Sequence, residues 1–329
     1  MRILVLGGTG VISRAIIREG LKAGHEMIAL NRGTRSVHFE EVPEIIRCDW
    51  RDTDAYSKAT EGLQVDAVID VLSMSAADAK HTMEDFGGAA KHWIFTSTSC
   101  AYKKPFAHLP VRECETQRWD DPAYGYPSAK AGMERYLLEE CKGREAPVTV
   151  IRPSLTYGEG SQNIGILRQN VGILRRIEAG KPLLLYDDGQ TVFTYTFAPD
   201  LARGYLACCL NPRAYGEDFH ITSENHASKA DMYRVFGRMV GKEPKFAYLP
   251  SAKFFEIDPQ QFEHIWYEKR FPHIFSIEKI RTACPEWKPE IDLETGLRQI
   301  AQWWEKEGMQ PDPAKDALED ELIAKYARQ

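Results

Sequence analysis

Short apolar runs alternate with amphipathic stretches through the first half of the chain. The apolar runs lie at residues 3–6, 27–30, 65–71, 93–96 and 148–151. Between the first two runs, Ile12, Ile16 and Ala23 flank a stretch with helical spacing that ends at Gly24. Buried runs separated by helices are typical of a parallel sheet that is covered by helices on both faces. We therefore predict an α/β fold with a doubly wound parallel sheet.

The pattern changes after residue 155, where the segments become longer and more irregular. Glycine and proline interrupt the chain at positions 158, 160, 180, 182 and 189, and later patterns predict a helix at 201–210, a strand at 219–222 and a helix at 229–240. We predict a first domain over residues 1–160, to which the chain returns at about 190–225, and a smaller α+β domain over 161–329. Leu318, Leu322 and Tyr326 recur every fourth residue, which predicts an amphipathic C-terminal helix that packs on the protein.

Composition narrows the classes of function. Of 329 residues 43% are hydrophobic, and 42 Lys and Arg stand against 48 Asp and Glu, a net charge of −6. This negative balance argues against a general nucleic-acid or membrane binder, because such affinity depends on clustered cations. No run of about 18 apolar residues is present, so we expect no membrane span. The seven cysteines include no C-x-x-C pair, and we expect reduced thiols, no metal site and a cytoplasmic location.

A glycine-rich turn directly follows the first apolar run. Residues 7–13 have the sequence GGTGVIS and open the predicted helix. Gly7 permits a tight turn, and Gly10 lets the backbone approach a pyrophosphate, which would lie at the positive N-terminus of the helix. Ser13 stands where a third small residue packs the helix against the strand. We predict a dinucleotide site with contacts from Gly7, Thr9, Gly10, Val11 and Ile12.

Asn31 and Arg32 follow the second predicted strand, where the ribose of a bound dinucleotide is recognised. An NAD-specific site carries an acidic residue at this point. Asn31 has no charge that would repel a 2′-phosphate, and Arg32 can pair with one through two charge-assisted hydrogen bonds. The two residues favour NADP over NAD as the cofactor. In the alternative, Arg32 is a solvated loop cation and Asn31 binds the ribose of NAD.

Asp49 and Trp50 follow the third short strand, in the sequence CDWRD at 48–52. Asp49 can accept a hydrogen bond from an adenine amino group, and Trp50 can cover the adenine ring. An aspartate in such a place also begins a turn or caps a helix in many proteins, and this alternative stays open.

Tyr126 and Lys130 are four residues apart, so both lie on one face of a predicted helix. With 14 tyrosines in the chain the spacing alone is a weak signal, but the pair lies between the run at 93–99 and the run that ends in Arg152-Pro153. A phenol has an ordinary pKa of about 10, and a neighbouring ammonium favours its phenolate form. The pair can therefore act as an acid–base couple near neutral pH.

With these motifs in this order, the chain resembles the short-chain dehydrogenase/reductase superfamily, in its extended, sugar-nucleotide epimerase-like branch. The matching segments are GGTGVIS (7–13), CDWRD (48–52), FTSTSCAY (95–102), YGYPSAK (124–130), IRPSLTYGEG (151–160), FAPDLARG (197–204) and PEWKPEIDLETGL (285–297). The resemblance implies a Rossmann-type nucleotide domain and a smaller C-terminal substrate domain. It also implies a homodimer that forms through a helix bundle, which includes the helix carrying Tyr126 and Lys130.

The resemblance further implies roles for individual residues. Thr98, Tyr126 and Lys130 take the positions of the family's catalytic residues. Thr98 would orient the substrate oxygen, Tyr126 would move the hydroxyl proton, and Lys130 would also hold the nicotinamide ribose. The expected cofactor contacts include Leu72 and Pro153, and weaker candidates for substrate contact are Ser73, Ser75, Asn163 and Tyr195.

Two pairs of residues depart from the family's patterns. Dehydratase members carry an Asp-Glu pair after the catalytic Thr, whereas Ser99-Cys100 follow here, which argues against a 4,6-dehydratase. Cys100 matches the position of an acid/base cysteine in GDP-fucose synthase-like enzymes; in the alternative it is a small filler beside the site. Phe193-Thr194 replace the Arg-Asp pair with which sugar-nucleotide enzymes bind the diphosphate, which counts against a nucleoside-diphosphate sugar.

Together these features predict an NAD(P)-dependent oxidoreductase or epimerase that acts on a hydroxyl or ketone of a sugar or sugar nucleotide. The sequence shows the machinery for hydride transfer and not the fate of the hydride, so epimerase and net redox enzyme both stay open. A carbonyl reductase of a non-nucleotide substrate that uses NADPH is a further alternative. A non-catalytic nucleotide- or RNA-binding regulator, like the chloroplast stem-loop RNA-binding members, is another, but the intact catalytic set counts against it.

Overall fold

The computed structural model describes residues 1–35 and 37–327, and these form fourteen strands and twelve α-helices. In chain order the strands are β1 (Arg2–Leu6), β2 (Glu26–Asn31), β3 (Glu44–Arg47), β4 (Gln64–Val65), β5 (Ala67–Asp70), β6 (Ala89–Ala90), β7 (Trp93–Thr96), β8 (Val148–Arg152), β9 (Leu155–Tyr157), β10 (Leu183–Tyr186), β11 (Val192–Phe197), β12 (Asp218–His220), β13 (His226–Ser228) and β14 (Phe246–Leu249). The helices are α1 (Val11–Lys22), α2 (Thr53–Ala59), α3 (Ala76–Glu84), α4 (Gly125–Arg135), α5 (Gly172–Glu178), α6 (Ala198–Cys208), α7 (Lys229–Val240), α8 (Ser251–Ile257), α9 (Pro259–His264), α10 (Glu278–Ala283), α11 (Leu293–Lys306) and α12 (Pro313–Tyr326).

The chain divides into two units, each built from several segments. The first unit comprises Met1–Thr156, Ala198–Ser223 and Phe275–Glu290, and the second comprises Tyr157–Phe197, Glu224–Ile274 and Ile291–Gln329. The first segment of this unit ends at Thr156, and the chain first returns to it at Ala198–Ser223. The second return has no counterpart in the sequence prediction, because its helix α10 has only 6 residues and is too short for a periodic signal.

Seven strands of the first unit form one parallel sheet in the order β12-β8-β7-β5-β1-β2-β3. Successive residues of β1 point to opposite faces of this sheet. Ile3 and Val5 enter a core with residues of α1 and α6, whereas Leu4 and Leu6 enter a core with residues of α2, α3 and α4. The sheet is therefore covered on both faces, which confirms the predicted Rossmann-type, doubly wound α/β fold.

The second unit is smaller and has little sheet. β10 pairs with β14 in parallel, and β11 pairs with β13 in antiparallel fashion. Helix α7 packs against α5 and α11, and α12 packs against β10 and β14. Throughout the described ranges, no helix has the length and apolar character that a bilayer crossing requires.

The C-terminal helix α12 is held by a buried carboxylate as well as by apolar side chains. Its buried residues are Glu319, Leu322 and Ile323. The two Glu319 oxygens accept hydrogen bonds from Leu184 N at 2.7 Å and from Gln169 Nε2 at 2.8 Å. Arg176 Nε lies 3.2 Å from the same carboxylate. The amphipathic spacing predicts a helix here, but an acidic residue on its buried face is a feature that hydrophobic periodicity does not reveal.

Replacing Glu319 with Gln is expected to lower the free energy of unfolding by about 1–3 kcal/mol, because a buried charge partner of Arg176 becomes an amide with an unmatched donor. Glu321, which pairs with Lys325 on the exposed side of the same helix, provides the control. Its change to Gln should cost less than about 0.5 kcal/mol. Denaturant titration of both variants at neutral pH measures the difference, and equal small losses would contradict this account of the helix.

Candidate active site

The glycine turn between β1 and α1 has a backbone conformation that side chains rarely adopt. Gly7 has a φ of +124°, and a Cβ added to it would lie 2.8 Å from Val71 Cγ2. Gly10 caps α1, and the Ser13 hydroxyl accepts a hydrogen bond from Gly10 N at 3.2 Å. This backward contact explains how the third small position accommodates a hydroxyl. The turn leaves an exposed Gly10 at the helix N-terminus, where backbone N–H groups can bind a phosphate.

The residues around Gly10 complete the predicted phosphate turn. Thr9, Val11 and Ile12 are half-buried and lie beside it in the chain. Thr9 contributes its carbonyl to Arg14 Nη2 at 3.3 Å, which fixes the backbone of the turn.

Arg32 and Asp49 lie together at the carboxyl ends of β2 and β3. Arg32 Nη1 is 4.0 Å from Asp49 Oδ2, and both side chains are exposed. Asn31 Oδ1 accepts a hydrogen bond from Gly33 N at 2.8 Å, which shapes the same loop. An exposed pair of this kind is weak. The Arg32 guanidinium can therefore leave Asp49 and pair with a bound anionic group, such as a phosphate.

Trp50 requires a correction to the sequence prediction, because its ring is only 5% exposed. The ring packs in the core of the first unit with its centre 5.4 Å from that of His81. Little of its face is left to cover an adenine. The indole therefore stabilises the loop after β3 and is not proposed as a base-stacking residue.

Ser73 requires a second correction, whereas its neighbour Ser75 does not. The buried Ser73 hydroxyl donates to Asp70 Oδ2 at 2.5 Å and lies 3.1 Å from Thr82 Oγ1. Ser75 caps α3 by accepting a hydrogen bond from Asp78 N at 3.2 Å. The buried Ser73 hydroxyl is thus used within the loop after β5 and is not proposed as a substrate ligand. The half-buried Ser75 uses its oxygen in the capping bond and keeps its hydroxyl proton, so Ser75 stays a candidate for substrate contact. Leu72, in the same loop, is half-buried, and its N–H donates to Asp70 Oδ1 at 2.7 Å.

Thr98 lies two residues beyond the end of β7 and caps a short 3₁₀ turn at Ser99–Ala101. Its hydroxyl accepts a hydrogen bond from Cys100 N at 3.1 Å. This contact uses the oxygen as an acceptor and leaves the hydroxyl proton for another group. Cys100 lies half-buried in the same turn, and Pro153 contributes its carbonyl to Ser99 N at 3.0 Å.

Lys130 is the centre of the candidate site. It lies on α4, is 2% exposed, and its Nζ donates to Ser73 O at 2.6 Å and to Thr96 O at 2.7 Å. These contacts join α4 to the carboxyl ends of β5 and β7 and use two of the three ammonium protons. Burial lowers the pKa of Lys130 to about 8. The third proton can therefore serve a bound group or a neighbouring phenol.

Tyr126 lies one helical turn before Lys130 on α4, and it is 44% exposed. The exposed position makes its phenol accessible to a ligand, in contrast to the enclosed ammonium of Lys130. Tyr126, Lys130 and the loop that carries Thr98 thus lie at the carboxyl edge of the parallel sheet, where ligands of such sheets bind.

Glu134 follows Lys130 by one further turn of α4 and was missed by the sequence analysis. It is fully buried, and Arg152 donates to both of its oxygens at 2.7 Å. Arg118 Nε donates to Glu134 Oε2 at 2.7 Å, and the Ser97 hydroxyl donates to Oε1 at 2.5 Å. Although burial raises the pKa of Glu134, Arg152 holds it below its ordinary value.

The Glu134 contacts fix the position of helix α4. Ser97 is the residue before Thr98, and Arg152 is the residue before Pro153. One carboxylate therefore holds α4 to the ends of both β7 and β8. The signal in the sequence was the recurrence of Tyr126, Lys130 and Glu134 at intervals of four residues.

The remaining substrate candidates, Asn163 and Tyr195, belong to the second unit. Asn163 is exposed. Tyr195 is only 1% exposed, and its ring packs edge-on against Tyr157 and Phe193. The direct substrate contact predicted for Tyr195 is therefore corrected: its ring belongs to the core of the second unit.

Comparisons with known proteins match most of the chain. A model of the NAD dependent epimerase/dehydratase family matches residues 3–87 and 80–222. The 2′-dehydrokanamycin reductase of Streptomyces kanamyceticus is 23% identical over 99% of this chain and 91% of that protein. The chloroplast stem-loop binding protein of 41 kDa b of Arabidopsis thaliana is 24% identical over 90% of this chain and 77% of that protein.

A solved structure shares the fold. UDP-glucuronic acid 4-epimerase from Bacillus cereus, in complex with UDP-glucuronic acid and NAD, has a TM-score of 0.69 at 18% identity. The match covers 93% of this chain and 99% of that one.

Proposed function

This chain belongs to the NAD dependent epimerase/dehydratase family, and we propose that it transfers hydride between NADP and a carbon of a sugar-like hydroxyl or ketone, with Tyr126 as the acid–base. The observation that carries the proposal is the arrangement on α4. Lys130 is held by two backbone carbonyls at the sheet edge, the accessible Tyr126 lies one turn before it, and Thr98 lies in the adjoining loop. This arrangement provides a proton donor and acceptor next to a fixed positive charge.

The residues at the sheet edge fit a dinucleotide. A side chain at Gly7 would collide with Val71, so only glycine keeps the turn at the N-terminus of α1 close and open to a phosphate. We propose that Gly7, Thr9, Gly10, Val11 and Ile12 bind the pyrophosphate. Asn31, Arg32 and Asp49 would contact the adenosine half, and Leu72, Lys130 and Pro153 would contact the nicotinamide half. When bound, the nicotinamide ring accepts or supplies the hydride.

The protein's own side chains would handle the proton. The Thr98 hydroxyl donates to the substrate oxygen and orients it. Tyr126 takes the hydroxyl proton during oxidation or returns it during reduction, and the nearby Lys130 ammonium favours the phenolate. Cys100, in the same turn as Thr98, is a second candidate for proton transfer if the reaction includes a step at an adjacent carbon.

Two observations bear on the substrate class: the similar proteins and the residues at positions 193 and 194. The similar proteins include a 2′-dehydrokanamycin reductase and, among solved structures, a UDP-glucuronic acid 4-epimerase. Phe193-Thr194 stand where sugar-nucleotide enzymes have an Arg-Asp pair. We therefore keep two forms of the proposal: an epimerase that retains its cofactor, and a reductase that uses NADPH and releases it. Purification followed by absorbance and mass analysis of any bound nucleotide distinguishes them, because only the first form keeps the nucleotide through repeated turnovers.

Arg32→Ala is expected to weaken NADP binding by about 10- to 100-fold and to leave NAD binding nearly unchanged, since charge-assisted hydrogen bonds to the 2′-phosphate are lost. Calorimetric titration with both nucleotides measures the change. Arg35, which is also exposed on this loop, gives the control when it is changed to Ala. Equal weakening of NADP and NAD in Arg32→Ala would contradict the assignment.

A second candidate function is RNA binding, which the similarity to the chloroplast stem-loop binding protein favours. It predicts tight binding of stem-loop RNA that weakens steeply as salt is added. Titration of a labelled stem-loop at two salt concentrations tests it, and the absence of tight binding at both would leave the hydride-transfer proposal as the better account.

A further inference from the structure

A cavity of the second unit is lined by residues for which the proposed hydride transfer has no role. Its volume is about 540 Å³, a size typical of small-molecule sites. Helices α5, α7 and α11 and the turn that follows α11 supply its walls. None of the described residues that line it is among those proposed for the cofactor, for proton transfer or for substrate contact.

The walls of this cavity carry apolar side chains that the protein covers only in part. The half-buried ones are Leu174, Met239, Val240, Ala301 and Met309. An apolar molecule that enters the cavity would remove this surface from water, which is favourable. Methionine side chains are flexible and polarizable, so Met239 and Met309 can adapt to a ligand of irregular shape.

Trp304 lines the same cavity and carries a buried donor that has no acceptor. Its side chain is 1% exposed, and the Phe236 ring stacks on it with the ring centres 5.7 Å apart. Across residues 1–35 and 37–327, no group accepts a hydrogen bond from its Nε1–H. A buried indole N–H usually has a partner, because leaving it without one costs free energy. The group that Trp304 lacks is an acceptor, since an indole N–H can only donate.

The charged residues around the cavity balance one another. They are two arginines and two glutamates: Arg175, Glu178, Arg298 and Glu305. Arg175 Nη1 donates to Glu178 Oε2 at 2.9 Å, and Arg298 Nη2 donates to Glu294 Oε1 at 2.7 Å. Both arginines thus have a carboxylate partner, and the lining has no net charge that would complement an ion. The cavity therefore favours an uncharged ligand.

We propose that this cavity binds an uncharged organic molecule with an apolar body and an acceptor oxygen, as in a ketone, an ester or an amide. The apolar side chains cover the body, and the oxygen accepts the hydrogen bond that Trp304 Nε1 offers. Because Trp304 is almost fully covered, the oxygen reaches it after a rotation of neighbouring side chains, a change that is common on binding. The site is separate from the residues of hydride transfer and does not rest on the proposed function.

The test is equilibrium dialysis of the full chain against three naphthalenes of similar size. The probes are 2-acetylnaphthalene, which is an uncharged ketone, 2-ethylnaphthalene, which lacks the acceptor, and 2-naphthoate, which carries a negative charge. The wild type should bind the ketone and should bind 2-naphthoate about tenfold more weakly or less, because the cavity does not compensate the buried charge. Absence of binding of the ketone, or tighter binding of 2-naphthoate, would overturn the site.

Two substitutions separate the donor from the apolar walls. Trp304→Phe keeps an aromatic ring and removes the donor, so it should weaken binding of the ketone about threefold to tenfold more than binding of 2-ethylnaphthalene. Ala301→Phe fills the cavity from a half-buried position and should weaken both ligands about tenfold or more. Trp303→Phe is the matched control on the same helix, because Trp303 is not a lining residue, and it should change neither affinity.

The same variants can contradict the proposal. Equal weakening of the two ligands in Trp304→Phe would show that the indole is a wall that donates to neither. Unchanged binding in Ala301→Phe would place the ligands elsewhere on the protein. Either result would overturn the site.

The indole N–H signals of the wild type keep the test available if a variant does not fold. The seven tryptophans give seven such signals in the nuclear magnetic resonance spectrum of a chain labelled with ¹⁵N-tryptophan. Saturation with 2-acetylnaphthalene should move one signal downfield, as a new hydrogen bond to oxygen forms, and 2-ethylnaphthalene should not. Identical spectra with the two ligands would contradict the site. A wild type that binds the ketone in this way but turns over no sugar would contradict the proposed function alone, and an active enzyme that does not bind it would contradict the site alone.

Discussion

Tyr126→Phe is expected to lower kcat by about 10²- to 10⁴-fold, the range that a positioned acid–base group contributes. The phenylalanine keeps the ring of a residue that is 44% exposed, so neither packing nor NADP affinity should change. The loss should fall on kcat more than on KM, because the proton is transferred in the transition state. Steady-state kinetics on a panel of keto-sugars and sugar nucleotides measures it.

The control for this variant is Tyr326→Phe, which removes an exposed phenol of the second unit and should leave turnover unchanged. The pH profile adds a second check. Burial lowers the pKa of Lys130 to about 8, so wild-type turnover should depend on the charge of this lysine near that pH. Turnover by Tyr126→Phe at the wild-type rate would exclude the phenol as the acid–base.

Glu134→Gln is expected to lower the free energy of unfolding by about 3–5 kcal/mol, because it breaks a buried pair and leaves Arg152 without its main partner. Arg152 is fully buried and donates to both Glu134 oxygens, and Arg118 and Ser97 direct further donors at the same carboxylate. The amide N–H of a glutamine would face the N–H and O–H donors of Arg152, Arg118 and Ser97, where the carboxylate oxygens now accept. Denaturant titration at neutral pH measures the loss.

The Glu134 effect should depend on pH in a defined direction. Its folded-state pKa is lowered by Arg152 against the effect of burial, so its contribution is present above the unfolded-state pKa. The contribution is lost as the pH falls through the lower folded-state value. The difference in free energy of unfolding between the wild type and Glu134→Gln should therefore become smaller below about pH 4.

Glu140→Gln, at an exposed position just beyond α4, is the matched control and should change stability by less than about 0.5 kcal/mol at any of these pH values. A gap of similar size at all pH values would show that side-chain shape, and not charge, accounts for the effect of Glu134. If Glu134→Gln loses almost no free energy of unfolding at neutral pH, the contacts of Glu134 do not hold α4 in position, which would contradict this account.

The fold was predictable because its signals are local. The buried run of β1, the glycine turn and the start of α1 lie within about twenty residues, and the same pattern of run and helix recurs along the sheet. The second return to the first unit, at Phe275–Glu290, was not predictable in this way. It joins the unit through contacts with distant residues, which no periodic pattern records.

The sequence indicates which residues are candidates for the site, but it does not show the contacts of each one. Tyr126 and Lys130 were chosen from their spacing and their place among the other motifs, but Ser73 and Trp50 are buried and their contacts leave little for a ligand. Those contacts form only when the chain has folded, so the sequence around each residue does not reveal them. Glu134 and Arg152 are 18 residues apart in sequence, and their pairing follows only from the packing of α4 on β8.

Deuterium transfer tests the central claim most directly. The chain is mixed with NADPH deuterated at the transferring carbon and with a panel of keto-sugars and keto-sugar nucleotides, and the product masses are followed in a single turnover. An epimerase and a reductase both reduce a bound ketone, so either form should place deuterium on the carbon that was the ketone. We predict this transfer in the wild type and a rate lower by about 100-fold or more in Tyr126→Phe. Deuterium that stays on the cofactor with every substrate, or equal rates in the two proteins, would contradict the account.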